Sequence, residues 1–200
     1  MLFYIVCEIK SGFLQIISGN ASQDEGKYDW GTTITKVYLP LENEEFFKGG
    51  IPLLDWLRQF VPAHITETHE SFFRGFFGKM LFSGDDILKK TNVLSGGEKV
   101  RCMLSKMMLQ NPNVLLLDQP TNHLDLESIQ SFNENCQEFP GIILINSHDH
   151  TFMETVCNRI IEITPRGTID RIMSFDEYMN DERVQLLRAE LYKEEGVLVK

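Results

Sequence analysis

LLLDQPTNHLD, Leu115 to Asp125, is the stretch whose reading decides the fold. Three consecutive leucines make the short all-apolar run that a strand buried on both faces requires. The run ends in a carboxylate, Asp118, and the residue after it is an amide, Gln119. A carboxylate delivered at the end of a buried strand suits a hard cation, which prefers oxygen ligands.

Outward from this strand the pattern alternates. A helix over Gly96 to Gln110 precedes the strand Val114 to Leu117, and a helix over Leu126 to Glu138 follows it. Next come an apolar strand at Ile142 to Ile145, a helix near Thr151 to Cys157 and a strand at Arg159 to Ile163. Strands and helices in alternation, with all-apolar strands, predict an α/β fold: a mainly parallel sheet flanked by helices. Towards the N-terminus, FLQIISGN reads as a helix end closed by Gly19, and KYDWGTTITKVYLP as two short strands around Gly31. Leu53 to Phe60 and Ser71 to Phe82 carry apolar residues at helical spacing and predict a small helical subdomain within about residues 50–110. Val184 to Tyr192 reads as a terminal helix in a tail over 181–200.

The bulk numbers narrow the class. Two hundred residues hold one domain, or one domain with a subdomain. At 42% hydrophobic and 24% charged the chain is an ordinary globular sequence, which argues against overall disorder. A net charge of −10 opposes a sequence-wide electrostatic grip on nucleic acid or acidic lipid, although it leaves room for local basic patches. Cys7, Cys102, Cys136 and Cys157 are scattered without CxxC spacing, which suits buried free thiols in a reducing compartment. No run reaches the length of a membrane span, and MLFYIVC lacks the basic flank of a signal peptide. A cytoplasmic location without membrane insertion is expected.

LSGGE, Leu94 to Glu98, is the most specific motif. Ser95 can cap the following helix, and Gly96 and Gly97 let backbone N–H groups approach an anion closely. A helix start with exposed N–H groups is a phosphate site. Taken alone, LSGGE also reads as a capped helix behind a glycine turn. With LLLDQPTNHLD and INSHD beside it, the sequence resembles the ATP-binding cassette proteins: signature motif, Walker B strand, D-loop and switch histidine. TNHLD resembles subfamily F in particular, the ABC-F proteins with two cassettes in one chain. The likeness runs through KMLFSGDDILKKTNVLSGGEKVRCMLSKMML and ITPRGTIDRIMSFDEYM, covers most of residues 13–180, and has the shape of the second cassette.

The resemblance implies a P-loop NTPase-like fold, ATP and Mg2+ as cofactors, and roles for matched residues. Asp118 would hold Mg2+, directly or through water, and His148 would contact the γ-phosphate. Ser95, Gly96 and Gly97 would contact the γ-phosphate of ATP held mainly by a facing cassette, and Asp125 would touch that cassette from the D-loop. His123, His148 and His150 also invite a metal reading, but no third-ligand spacing supports it.

Two departures bear on activity. Gln119 stands where the family usually has its catalytic glutamate; an amide can orient water but cannot take its proton. The second is upstream, where no GxxxxGK followed by Ser or Thr occurs. In register with the family helix, Lys10 and Ser11 fall on the phosphate-binding lysine and the Mg2+-binding hydroxyl. The loop glycines would then fall at Tyr4 and Ile9, whose side chains do not readily take the conformations of a phosphate nest. Residues 1–180 therefore read as a partial cassette with incomplete N-terminal strands and Walker A loop. Leu41 also occupies the neighbourhood of the family's Q-loop glutamine.

The expected function is ATP binding and hydrolysis as part of an ABC-F ATPase, with a second cassette and, by resemblance, the ribosome as partners. Activity of the chain alone is expected to be weak or absent. A non-catalytic interaction module is the alternative from a different class, and the nucleotide-binding subunit of a transporter is a third, which TNHLD disfavours.

Overall fold

In the computed structural model, the strand β3 (Val114–Asp118) turns Val114 and Leu116 to one side of the sheet and Leu115 and Leu117 to the other. Its neighbour β4 (Ile142–Asn146) does the same, with Ile142 and Leu144 opposite Ile143 and Ile145. Side chains alternate across a strand, so an all-apolar strand needs cover on both faces. That cover is present. One face meets α1 (Lys10–Ser18) through Leu14 and Ile17, with Trp30 and Ile34 alongside. The other meets α4 (Gly96–Gln110), α5 (Leu126–Glu138) and α6 (His150–Val156), where the rings of Phe132 and Phe152 stack 5.3 Å apart.

The structure describes residues 2–6, 10–66 and 69–192. Their six-stranded sheet has the order β2 (Lys36–Leu39), β3, β4, β1 (Leu2–Val6), β5 (Ile160–Thr164), β6 (Gly167–Arg171). All neighbours are parallel except β5 and β6, which form an antiparallel hairpin at one edge. The parallel α/β expectation is met. The register sets Asp118 opposite Asn146 across β3 and β4, so chemistry-bearing residues gather at the carboxyl ends of these strands.

The two strands read around Gly31 are not both formed. Only β2 is a strand, and residues 27–31 are irregular. Their aromatic side chains serve another purpose. Tyr28 and Trp30 donate hydrogen bonds to the carbonyls of Ile16 and Ile17 at the carboxyl end of α1, and the Lys36 ammonium donates to Ile17 as well. These donors satisfy carbonyls that a helix end leaves open. Gly19, at φ +91°, closes the same helix as the sequence indicates.

The phenylalanine-rich stretch forms α2 (Leu53–Arg58) and α3 (Glu70–Lys79), and both pack with α4. Phe47, Trp56 and Phe60 make a continuous aromatic row with 5.0 Å centroid spacings. Beyond β5 the chain is more regular than the sequence reading had it. A hairpin strand, β6, and a capped helix α7 (Phe175–Asn180) precede the terminal helix α8 (Glu182–Leu191). Cys102, Cys136 and Cys157 are free and buried, and burial pushes each thiol pKa upward. Cys7 lies outside the described residues.

Candidate nucleotide and cation site

Asp118 is buried at the end of β3, 1% exposed. Its Oδ1 accepts a 2.7 Å hydrogen bond from the Asn146 side-chain amide. Its Oδ2 has a long contact of 3.4 Å from the Tyr38 hydroxyl. Burial, then the Asp118 charge and hydrogen bond, push the Tyr38 pKa up to about 12. Gln119 turns the chain at φ +53°, a left-handed conformation uncommon for a residue with a side chain. That turn is held from below by a 2.7 Å bond from the Gln119 N–H to the Asn146 carbonyl. On the outer side the Asn122 amide donates to Gln119 Oε1 at 3.2 Å.

The loop continues through His123, also left-handed at φ +66°, to Asp125, which caps α5 by accepting the Ser128 N–H at 2.8 Å. That backbone bond lowers the Asp125 pKa. Ser95 caps α4, and with Glu98 it forms a reciprocal capping box. Burial works to raise the Glu98 pKa, but hydrogen bonds from Lys89 and Ser95 outweigh it and the net shift is downward. Lys89 itself bridges Glu98 at 2.7 Å and Asp86 at 2.8 Å, tying the start of α4 to the turn before it.

Signature and D-loop meet within the chain. A Cβ on Gly97 would lie 2.5 Å from the His123 carbonyl oxygen, and one on Gly96 would lie 3.5 Å from the His123 side chain. Glycine at 97 is therefore required by the backbone's approach to a second loop, a contact between residues far apart in sequence that motif reading does not reveal. The join lines two clefts. One, of about 330 Å3, is bordered by Ser95, Gly97, Arg101 and Asp125. The other, of about 270 Å3, is bordered by Asp118, Gln119, Asn122 and the segment Leu39–Glu44 after β2. A cavity of about 400 Å3 between α3, α4 and α5 is walled mostly by phenylalanine, methionine and leucine, and has no acidic residue to hold a cation.

The other residues singled out by sequence are distributed as follows. His148 is exposed two residues beyond β4, beside the ends of β3 and β4. His150 is turned away: its Nε2 lies 3.1 Å from Asp176, and its ring packs edge-on against Phe175. Among the described residues no three of His, Cys, Asp and Glu gather as a group that could hold a metal ion. Lys10 and Ser11 are the first two residues of α1. Tyr4 lies within β1, paired with Ile145 on one side and Ile160 on the other, so position 4 is strand and not phosphate loop. Ile9 lies outside the described residues. Asn146 and Tyr38 were missed by sequence reading.

As a fit for Mg2+, Asp118 is adequate: a carboxylate at a strand end, with Oδ2 engaged among the described residues only by one long contact. The phosphate cradle fits less well, because β1 continues through position 4, where a nest of N–H donors would have to begin.

Comparison with known proteins agrees with this geometry. The family described as ABC transporter matches residues 10–122. The uncharacterized ABC transporter ATP-binding protein YkpA of Bacillus subtilis (strain 168) is 54% identical over 181 residues, 90% of this chain and 33% of its own length. ABC transporter F family member 2 of Arabidopsis thaliana is 34% identical over 121 residues, 60% of this chain and 18% of its own. Among solved structures, a dimeric post-hydrolysis state of the ATP-binding cassette MJ0796 bound to ADP and Pi superposes with a TM-score of 0.63 at 18% identity. That likeness covers 81% of this chain and 80% of the other, and shows a shared fold. The chain spans about a third of the length of the curated relatives YkpA and YbiT, the latter from Escherichia coli O157:H7. No described helix is long and apolar enough to cross a membrane.

Proposed function

The chain belongs to the ABC transporter family, with the fold of its ATP-binding domain, and from that premise we propose that it is the second cassette of an ABC-F ATPase. Its signature face completes an ATP site whose phosphate loop sits on a facing cassette. TNHLD and the Arabidopsis relative named as an F family member support the subfamily. The ribosome is the target that this subfamily resemblance suggests.

The observation that carries the reading is the seating of Gly97 on His123, which makes LSGGE and the D-loop one continuous face. Gly96 and Gly97 at the start of α4 present N–H groups to a γ-phosphate, Ser95 adds its hydroxyl while its own N–H is held by Glu98, and Asp125 stands beside them for the partner. Val93 and Leu126, neighbours of Ser95 and Asp125 in sequence, are 65% and 86% exposed. Apolar side chains left in water beside a polar cleft suit a surface that a second protein covers.

The chain's own half-site is the weaker one. Asp118 would hold Mg2+, His148 would reach a γ-phosphate, and Lys10 and Ser11 would meet phosphate and metal. Tyr4 in the strand and Gln119 in place of a general base oppose full turnover there. The test is complementation. The purified chain is titrated into a cassette that has an intact phosphate loop and a disabled signature, and phosphate release is followed. Stimulation by the natural chain and none by Ser95→Arg is expected; equal stimulation by both would refute the signature role.

A second reading, a non-catalytic interaction module, is favoured by the pairing of Tyr4 on both sides of β1. Calorimetry with Mg-ATP on the chain alone separates the two half-sites. Tight binding that Lys10→Ala abolishes would restore a working phosphate loop.

A further inference from the structure

Asp118 has two oxygens, and the fold treats them differently. Oδ1 is taken by the Asn146 amide at 2.7 Å, within the range of a strong N–H···O bond. Among the described residues Oδ2 has only the Tyr38 hydroxyl at 3.4 Å, well beyond the usual O–H···O distance. Asn146 makes this difference at a cost to itself. It is 1% exposed on a strand where Ile143 and Ile145 are fully buried, and among the described residues its own Oδ1 is buried without a hydrogen-bond partner. Turning the amide over would not relieve that oxygen, because it would then face Asp118 Oδ1, acceptor against acceptor. An apolar residue at 146 would remove that orphan but strip the buried Asp118 Oδ1 of its donor, so the amide serves the carboxylate beside it rather than its own strand. The same residue also fixes the Gln119 turn, since its carbonyl accepts the Gln119 N–H at 2.7 Å.

Presenting one oxygen or two changes which cation a carboxylate prefers. Ca2+ takes six to eight oxygens and readily accepts both atoms of one carboxylate. Mg2+ holds a strict octahedron, keeps several waters, and takes carboxylates one oxygen at a time. We propose that Asn146 is a positioning residue that sets cation selectivity: by occupying Oδ1 it offers Asp118 to the cation through Oδ2 alone, favouring Mg2+ over Ca2+. The inference rests on the reading of Asp118 as the cation ligand. It adds to that reading a residue that touches no cation and acts through the carboxylate.

The experiment uses the whole chain without nucleotide, so that no phosphate competes for metal. Binding of Mn2+ is followed by electron paramagnetic resonance, and Mg2+ and Ca2+ are titrated in as competitors. Asp118→Asn supplies the background from surface carboxylates and is subtracted. In the natural chain Mg2+ displaces the Asp118-dependent Mn2+ at lower concentration than Ca2+ does. In Asn146→Leu, which keeps the branching and removes the donor, the ratio of Ca2+ to Mg2+ dissociation constants falls about tenfold, the low end of outer-shell effects on metal affinity. Tyr38→Phe removes the long contact to Oδ2 and leaves the ratio unchanged. Should Asn146→Leu fail to fold by circular dichroism, Asn146→Val, a smaller apolar side chain that also removes the donor, gives the same shift towards Ca2+. An unchanged ratio in the folded variant overturns the inference, as does a natural chain with no preference for Mg2+. A chain with no Asp118-dependent Mn2+ also overturns it, while leaving the phosphate-release complementation of the signature face as a separate result.

Discussion

Glu162 and Asp118 are both carboxylates buried in the same sheet, one on β5 and the other at the end of β3, and the fold deals with them in opposite ways. Glu162, 0% exposed, is surrounded by donors. Tyr178 donates to Oε2, Tyr192 to Oε1 at 3.0 Å, and the Arg188 guanidinium lies 3.0 Å from Oε2. Its charge is matched by a cation on α8, so the group ties the last two helices to the sheet. Asp118 has a neutral amide, one long phenol contact and no ion pair among the described residues. A buried charge without a counter-charge is costly, and folds retain one where function supplies the missing partner. The difference separates an anchor from a site.

The contrast is most easily broken at the anchor. Glu162→Ala leaves a partly buried guanidinium and two phenols without their shared acceptor, and breaking a buried pair from one side typically costs about 3–5 kcal/mol. Because Arg188 is 28% exposed and can recover some water, the lower end is expected. Urea unfolding measures it. A loss under 1 kcal/mol would mean that α7 and α8 are held by their apolar contacts alone, and that Glu162 is no anchor.

At the site the sign should reverse. Asp118→Asn keeps the shape and the acceptor for Asn146 while removing an unmatched negative charge. In metal-free buffer the variant should be more stable by about 1 kcal/mol, as is common where function holds a site away from its stability optimum. The same urea experiment, repeated with millimolar Mg2+, sharpens the comparison. Cation binding stabilises only the natural chain, so the gap should narrow or change sign. A variant less stable than the natural chain in the absence of metal would show that Asp118 is structural in the way that Glu162 is.

How far these roles are legible from sequence follows from the distance over which each is made. The Leu115–Leu117 run, the Ser95 cap and the Gly19 helix end are local, and period and capping chemistry reveal them within a few residues. Asp118 is legible as a strand-end carboxylate for the same reason. Asn146 is not, because its meaning depends on a register between β3 and β4 that places residues far apart in sequence side by side. The Gly97 contact with His123 depends on how two loops approach. Tyr28 and Trp30 look like strand residues by propensity, yet tertiary contact turns them into caps for α1. Glu162 lies in an alternating strand beside a polar turn, and only the return of α8 gives it partners.

The smallest effect concerns the phenols facing the two carboxylates. Burial first, then Asp118's charge and hydrogen bond, raise Tyr38 to about 12, against roughly 10 for a free phenol. Burial first, then Glu162, raises Tyr178 too, and Arg188 pulls against that shift. With the folded value above the unfolded one, each phenol's contribution to stability is complete below about pH 10. For Tyr38 it is lost as pH climbs from there through about 12. Asp118→Asn removes the charge from the Tyr38 shift and leaves burial in place. Tyr38 should then ionise closer to 10, and the alkaline loss of stability that it causes should narrow to a smaller pH window. Ultraviolet titration of phenolate, with Tyr38→Phe as the difference reference, reads this directly. A Tyr38 midpoint unmoved by Asp118→Asn would mean that burial alone sets it and that the 3.4 Å contact carries no appreciable field from the carboxylate. Cation bound at Oδ2 should act in the same direction as the substitution, because it neutralises the same charge. Added Mg2+ should therefore lower the Tyr38 midpoint in the natural chain and leave Tyr178, beside the already paired Glu162, where it was.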